Sequence, residues 1–549
     1  KVWFCVNDVP VIPFPTFRYS LAERKTGFLI PTIGYDNQFG FRYRQGFFLD
    51  INPSHDVTIS PFVLSKRGYG SDLEYHYALS RRAKGEWLGF FIQDTEIDRA
   101  RGAFRGFHTH QFNPDLSLRV NANLITDRDL LNDLANSGAL RALPSLESNF
   151  DLNQRLDHGQ LYLRAQYLQP VGEGGATTFQ RLPEIGHRLV GVRPGQGPAQ
   201  LGMESTVLYW YREQGFDLGR ADLMPTFETD TLSLGHVVGI IPQARLRGVF
   251  YTRGTTTTDA VERGTFWIGP RAISRLTRRF SLEGERSLVH TIEPDVIYEY
   301  VPATDQSDIV QVDAVDDLPR KNLFTYLVST RLVEQGRGTS STWLDLRVGQ
   351  SYNLGNRQPP APKLSDLWAK AVVGNVAPTG GSVSLTLDTF FDTGSGEFSQ
   401  WNTDFRYQQS SIWYVEFSQR FARKGDRVRR GDIWNPLSFG EVLTATEDLK
   451  FLTSTGAIRL PLGFTLGAKS YYNFETEQSE ELDVVGLYQN PCRCWSLGVY
   501  FIEFPDRTQV NFMVSLTGLG STAGLGARLF QTILGPLFGQ ERGVPWATR

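Results

Sequence analysis

Cysteine is scarce: 549 residues contain three, Cys5, Cys492 and Cys494. In an oxidising compartment an odd count leaves one thiol without a partner, and in a reducing one all three stay free. Long apolar runs are absent. No run approaches the roughly 20 residues a helix needs to cross a bilayer, although a closed barrel crosses with alternating strands and needs no such run. Charge of one sign is absent too: 56 Lys+Arg stand against 59 Asp+Glu, a net charge of −3. A nucleic-acid partner usually leaves a basic footprint, so no nucleic acid is expected. Signatures of catalysis do not appear, with no G-x-S-x-G, no H-E-x-x-H and no C-x-x-C. His108 and His110 form an H-x-H on one strand face, but no third ligand stands beside them. No catalytic residue, metal site or cofactor is assigned.

What the sequence has in quantity is glycine, 53 residues, and aromatics, 13%, beside a modest 40% hydrophobic content. That mix suits a sheet protein with many turns and two chemically unlike faces. Period-two alternation recurs along the chain. Leu116, Leu118, Val120, Ala122 and Leu124 alternate with Ser117, Arg119, Asn121 and Asn123. Trp413, Val415 and Phe417 alternate with Tyr414, Glu416 and Ser418. Val510, Phe512, Val514 and Leu516 alternate with Asn511 and Ser515, and Met513 is the exception.

A soluble sandwich alternates in the same way, so three further features separate the cases. Composition does not shift along the chain as it would at a domain boundary. Strand-like runs often reach about ten residues, enough to cross a bilayer at a tilt. Aromatics gather near strand ends, as in Phe47-Phe48, Phe390-Phe391 and Tyr471-Tyr472, where interfacial girdles sit. The expected fold is all-β, a large antiparallel transmembrane β-barrel of about 26 strands.

Residues 1–19 read as the last strand of a preceding sheet followed by a stiff connector, because Pro10, Pro13 and Pro15 come in quick succession. The chain opens at Lys1 already in strand, so the expectation is a piece of a longer protein. Residues 20–520 form the barrel and 521–549 a C-terminal tail, with 525–538 short, apolar and packed at the barrel base. Two insertions, 128–143 and 434–443, have helical character, and both are expected to be ordinary surface loops. The acidic run 313–317 is expected to be a solvated loop.

Certain stretches resemble a known family. They are Asn7-Asp8-Val9-Pro10-Val11, Lys25-Thr26-Gly27-Phe28-Leu29-Ile30-Pro31, and Ile51-Asn52-Pro53-Ser54-His55-Asp56. Gln180-Arg181-Leu182-Pro183, His290-Thr291-Ile292-Glu293-Pro294, residues 322–331 and the Cys492/Cys494 pair follow in the same order. Together, scattered over nearly the whole chain, they resemble the barrel part of the LptD family of lipopolysaccharide-assembly proteins.

The resemblance implies an integral protein of the Gram-negative outer membrane that places lipopolysaccharide in the outer leaflet. It implies an LptE-like lipoprotein plug in the lumen and an LptA-like periplasmic bridge that docks on a β-jelly-roll domain, of which this chain keeps a remnant strand. It also implies a lateral gate between the first and last strands. Pro31 lies in the first strand and cannot donate to the ladder. Gly46 stands where the family has a second proline, and weakens its strand through entropy and lost packing. Pro31, Gly46 and the last strand, with Val510, Phe512, Val514 and Leu516, are the expected gate; equally, Pro31 merely ends an edge strand. Disulfides in the family tie the periplasmic domain to a late turn, so Cys5, Cys492 and Cys494 are the disulfide candidates. A passive porin or uptake channel and an outer-membrane hydrolase stay open as alternatives.

Overall fold

The computed structural model describes residues 2–6, 9–14, 26–135, 138–141, 143–172, 177–313, 315–316, 318, 320–336, 338–355, 363–376, 381–424, 427–428, 443–444, 448–491, 495–516 and 525–538. Its sheet is a closed antiparallel barrel of 26 strands, running from Gly27 to Leu516. Consecutive strands pair in order around the ring, so each is joined to the next by a turn or loop at one end. Closure joins the two end strands of the sheet to each other, and this lets backbone polar groups sit in hydrocarbon.

Alternation sorts the side chains into two faces. In the strand Gln243–Tyr251, Leu246 and Phe250 are exposed on the outside while Arg247, Val249 and Tyr251 are buried on the inside. Facing the lumen, Arg247 pairs with Asp222 of the neighbouring strand. The two rims differ. Loops such as 126–144, 302–320 and 354–366 all lie at one end, here the long-loop end, and tight turns such as 53–54, 81–82 and 157–158 at the other. This asymmetry is common in outer-membrane barrels.

Two expectations about loops are overturned. The acidic run is not solvated: Asp316 is fully buried, accepting from Arg220 Nη1 at 2.8 Å and from the Tyr251 hydroxyl at 2.8 Å. Ile309, Val310 and Val315 of the same loop pack on the lumen-facing Leu208, Trp210, Leu218 and Val249. The loop folds into the barrel because its apolar residues find an apolar inner strip, and a buried carboxylate is tolerated only when it is paired. Residues 128–143 are not an ordinary surface loop either. They contain the short helices Leu130–Leu134 and Gly138–Arg141, and Leu134 packs inward on Phe39, Phe62 and Ile92. The insertion 434–443 lies, except for Leu443, outside the described residues.

At the other end of the chain, the apolar tail is a helix, Leu525–Phe538. Its contacts, Tyr414, Ala457, Gly467, Val485 and Leu487, all face the lumen, so the helix lies inside the barrel.

The N-terminal segment also differs from expectation. Val9–Phe14 is not a bare connector; it pairs with Val2–Val6 in a separate two-stranded sheet, with Pro10 opposite Cys5 and Pro13 opposite Trp3. A two-stranded ribbon has only edge strands, and an edge tolerates proline.

Candidate functional site

The barrel closes where its last strand, Thr508–Leu516, meets its first. On the side of the preceding strand the last strand is paired throughout, by nine residue pairs from Trp495↔Leu516 to Glu503↔Thr508. On the seam side it makes four: Gln509↔Asp36, Val510↔Tyr35, Asn511↔Gly34 and Phe512↔Ile33. Among the described residues, 513–516 have no ladder partner on that side.

The first strand explains the shortfall. It comes in two pieces, Gly27–Phe28 and Thr32–Asp36, and Pro31 closes the break between them. The sequence reading placed Pro31 inside the strand; the structure places it just outside. Continuing the seam register by two residues would set Val514 opposite Pro31, which has no N–H to give.

The second strand breaks at the same level, between Gly40–Arg44 and Phe47–Asn52, across Gln45 and Gly46. The two breaks bond to each other. Leu29 N–H donates to the Gly46 carbonyl at 2.8 Å, and Gln45 Nε2 donates to the Leu29 carbonyl at 2.6 Å. A Cβ on Gly46 would lie 2.9 Å from Leu29 Cδ1, so glycine makes room for Leu29 at the break. Of the residues singled out in the sequence, Val510 and Phe512 fall in the paired half of the seam, and Val514 and Leu516 in the half without a seam partner. Pro31 and Gly46 fall at the break beside it.

The long-loop end of the seam is held firmly. Asn37 N–H donates to the Thr508 carbonyl at 3.1 Å, and Thr508 N–H donates back to Asn37 Oδ1 at 2.9 Å. Arg507, 2% exposed, donates from Nη2 to the Ala135 carbonyl at 2.9 Å and lies over the Phe39 ring at 4.8 Å. Its Nε stands 3.5 Å from Asp36 Oδ2. Burial brings this guanidinium down to about 10, against the pull of Asp36, and leaves it charged at neutral pH. Arg141, from the inward-folded loop, forms a two-point ion pair with Asp506. That bond holds the Asp506 carboxyl below the ordinary carboxylate range. Asp133 of the same loop reaches Arg101 at 2.7 Å, on a strand well away from the seam. One loop therefore ties the last hairpin to the opposite flank of the seam.

Several seam residues escaped the sequence reading. A Cβ on Gly34 would lie 2.6 Å from the Val510 carbonyl oxygen and closer still to the Asn511 side chain, so only glycine lets the two strands approach. An isolated glycine within a strand is the usual signal of such close approach. Asp36, Gln509 and Asn511 line the buried inner side of the seam, while Ile33, Tyr35 and Phe512 are exposed outside it. His108, in turn, is an outward-facing girdle residue whose Nδ1 is bonded to the Tyr77 hydroxyl at 2.7 Å, and His110 stacks on Phe112. Cys492 and Cys494 lie outside the described residues, and Cys5 is described only through its backbone pairing with Pro10.

Comparison with known proteins follows the geometry. A family model described as LPS transport system D matches residues 99–432, and one described as LptD protein matches residues 1–169. The LPS-assembly protein LptD of Thiobacillus denitrificans is 25% identical, covering 93% of this chain and 70% of its own length. That of Acidovorax sp. (strain JS42) is 25% identical over 66% of this chain and 49% of its own length. That of Acinetobacter baumannii is 22% identical over 95% of this chain and 67% of its own. The chain thus spans between about half and seven-tenths of these relatives. The solved P pilus usher (PapC) translocation pore aligns over 88% of this chain and 97% of its own, at 10% identity and a TM-score of 0.21, a likeness that carries no argument. With residues 99–432 matched by the family model, the chain belongs to the LptD family.

Proposed function

We propose that this chain places lipopolysaccharide in the outer leaflet of a Gram-negative outer membrane, passing the sugars through the lumen and releasing the lipid sideways at the seam. The carrying observation is the seam itself, four ladder pairs against nine on the other side of the same strand. With four pairs in place of nine, fewer backbone hydrogen bonds have to be broken and re-satisfied for the strands to part there than between the last strand and its other neighbour. The chemistry of the cargo fits. Its sugars need a wet route, supplied by the charged inner wall. Its acyl chains need an apolar exit, supplied by Ile33, Tyr35 and Phe512 on the outer side of the seam. The relatives' name, LPS-assembly protein LptD, and the family model's description, LPS transport system D, support lipopolysaccharide as that cargo.

The long-loop end faces outward in this reading, and the short-turn end faces the periplasm. Residues 1–19 form the last strand and linker of a periplasmic β-jelly-roll domain, 20–520 the barrel and 521–549 a C-terminal tail. An LptE-like lipoprotein occupies the remaining lumen, and an LptA-like bridge delivers lipid to the periplasmic domain. Gln489 and Trp495, the strand ends that flank Cys492 and Cys494 in the sequence, lie at the rim where the first barrel strand begins. This supports a bridge from Cys5, or from a cysteine upstream, to Cys492 or Cys494.

The test is reconstitution of the full-length protein in liposomes, with lipopolysaccharide supplied on the periplasmic side. Transfer to the outer face is expected. Ion conduction without lipid transfer would instead mark a porin, and lipid breakdown a hydrolase.

A further inference from the structure

The C-terminal helix, Leu525–Phe538, does more than fill space. Elsewhere the lumen wall carries many charged side chains, but beneath this helix it is apolar and small. Ala457, Gly467, Val485 and Leu487 face inward there, on three consecutive strands, with Tyr414 beside them on the next. Ile533, Leu534 and Leu537 cover them and are at most 1% exposed. Gly467 is shaped to the helix: a Cβ there would lie 2.5 Å from Ile533 Cγ2 and 2.8 Å from Leu534 Cδ2. Polar contacts fix the seat. The Tyr414 hydroxyl donates to the Ile533 carbonyl, and Gln408 Nε2 donates to the Pro536 carbonyl at 3.0 Å. Arg459 stands over the Phe538 ring at 4.3 Å.

The same continuous cluster of buried side chains extends to Tyr500 and Ile502 on the preceding strand and to Met513 on the last strand itself. Met513 opens the half of that strand that has no partner on the seam side. The two flanks of the seam are therefore unequal. The last strand has nine pairs behind it, and its Met513 joins the apolar cluster whose other end lies under the helix, which itself packs on the strands Trp413–Ala422, Leu449–Arg459, Phe464–Asn473 and Gln478–Gln489. The first strand is broken at 29–31, and its neighbour is broken at 45–46.

We propose that the C-terminal helix is an internal brace that fixes the last strand to the barrel wall, so that the seam opens by movement of the first strand alone. This rests on the reading of the seam as a lateral gate and adds which flank moves. Burial of Met513 and its neighbours gives the last strand the stability that its missing ladder would otherwise have supplied.

Amide hydrogen exchange on the full-length protein in lipid nanodiscs tests the proposal, comparing the native chain with Gly467→Leu and Ile533→Asp. Both variants unseat the helix, and Ile533→Asp leaves the barrel ladder untouched, so retained heat-modifiable mobility confirms a folded barrel. In the native protein, amides of 27–33 should exchange on the order of tenfold or more faster than those of Met513 and Ser515, which point to the preceding strand. In both variants Met513 and Ser515 should lose about tenfold or more of their protection, while 27–33 stay as they were. Equal exchange on the two flanks of the native seam, or unchanged protection of Met513 and Ser515 once the helix is unseated, would overturn the brace. A locked seam that still exports lipid would defeat the gate and leave the exchange result standing, so the two failures are distinguishable.

Discussion

Arg141 and Asp506 face each other as a two-point ion pair, Nη1 to Oδ1 at 3.0 Å and Nη2 to Oδ2 at 2.8 Å, joining the inward-folded loop to the last hairpin. Asp506 is about half exposed, so the pair adds at most about 1 kcal/mol and acts by position more than by strength. The sign of its pH dependence is fixed. A carboxyl held below its ordinary value of about 3.9 contributes fully above that value and loses its contribution as pH falls through the lowered one. The loss of amide protection at Asn37 and Thr508 caused by Arg141→Ala should be constant from pH 7 to about 5, begin to shrink below about pH 4, and vanish only once pH has fallen past the lowered value. A difference that disappears near neutrality would assign the hold to another group.

Gly34 and Pro31 should respond in opposite senses. Gly34→Val places a branched side chain against the Val510 carbonyl and the Asn511 side chain, and so forces the strands apart. The expected result is higher conductance in planar bilayers and greater sensitivity of cells to large antibiotics, with the rest of the barrel folded. Pro31→Val restores an amide donor and lets 27–36 run as one strand. It should slow lipid delivery and raise amide protection at 29–33. If Gly34→Val leaves conductance at its native level, the seam is not the weak point.

The lumenal loop hangs on one buried carboxylate. Asp316→Ala leaves Arg220 with Asp313 alone and strips the Tyr251 hydroxyl of its acceptor. Removing one member of a buried charged network typically costs about 3–5 kcal/mol, enough to release loop 302–320 from the lumen. Single-channel conductance should rise, and protease should cut within 302–320 of the folded barrel. An unchanged conductance would show that the loop does not obstruct the pore.

Much of this architecture was legible because the two faces of each strand meet different solvents. Alternation at 116–124, 413–418 and 510–516 reports that difference directly, since a one-residue slip would turn every greasy side chain inward. Met513 broke the pattern for a physical reason: it faces the lumen yet is buried in the apolar cluster that also holds Tyr500, Ile502 and the C-terminal helix. What stayed hidden depends on contacts distant in sequence. Asp316 looked like a solvated acid because its partner, Arg220, lies 96 residues away. Gly34 went unremarked because the backbone it approaches belongs to the opposite end of the chain. Pro31 and Gly46 were legible as weak points, but their mutual hydrogen bonding through Leu29 and Gln45 required the fold.

Lateral release is tested most directly by locking the seam. Ile33 and Phe512 face each other across it, so Ile33→Cys with Phe512→Cys can be bridged by oxidation. A control pair, Val296→Cys with Tyr326→Cys, bridges two neighbouring strands far from the seam. The locked seam should stop lipopolysaccharide from reaching the cell surface, reduction should restore it, and the control pair should have no effect. Normal surface delivery through a fully bridged Ile33–Phe512 seam would contradict the gate.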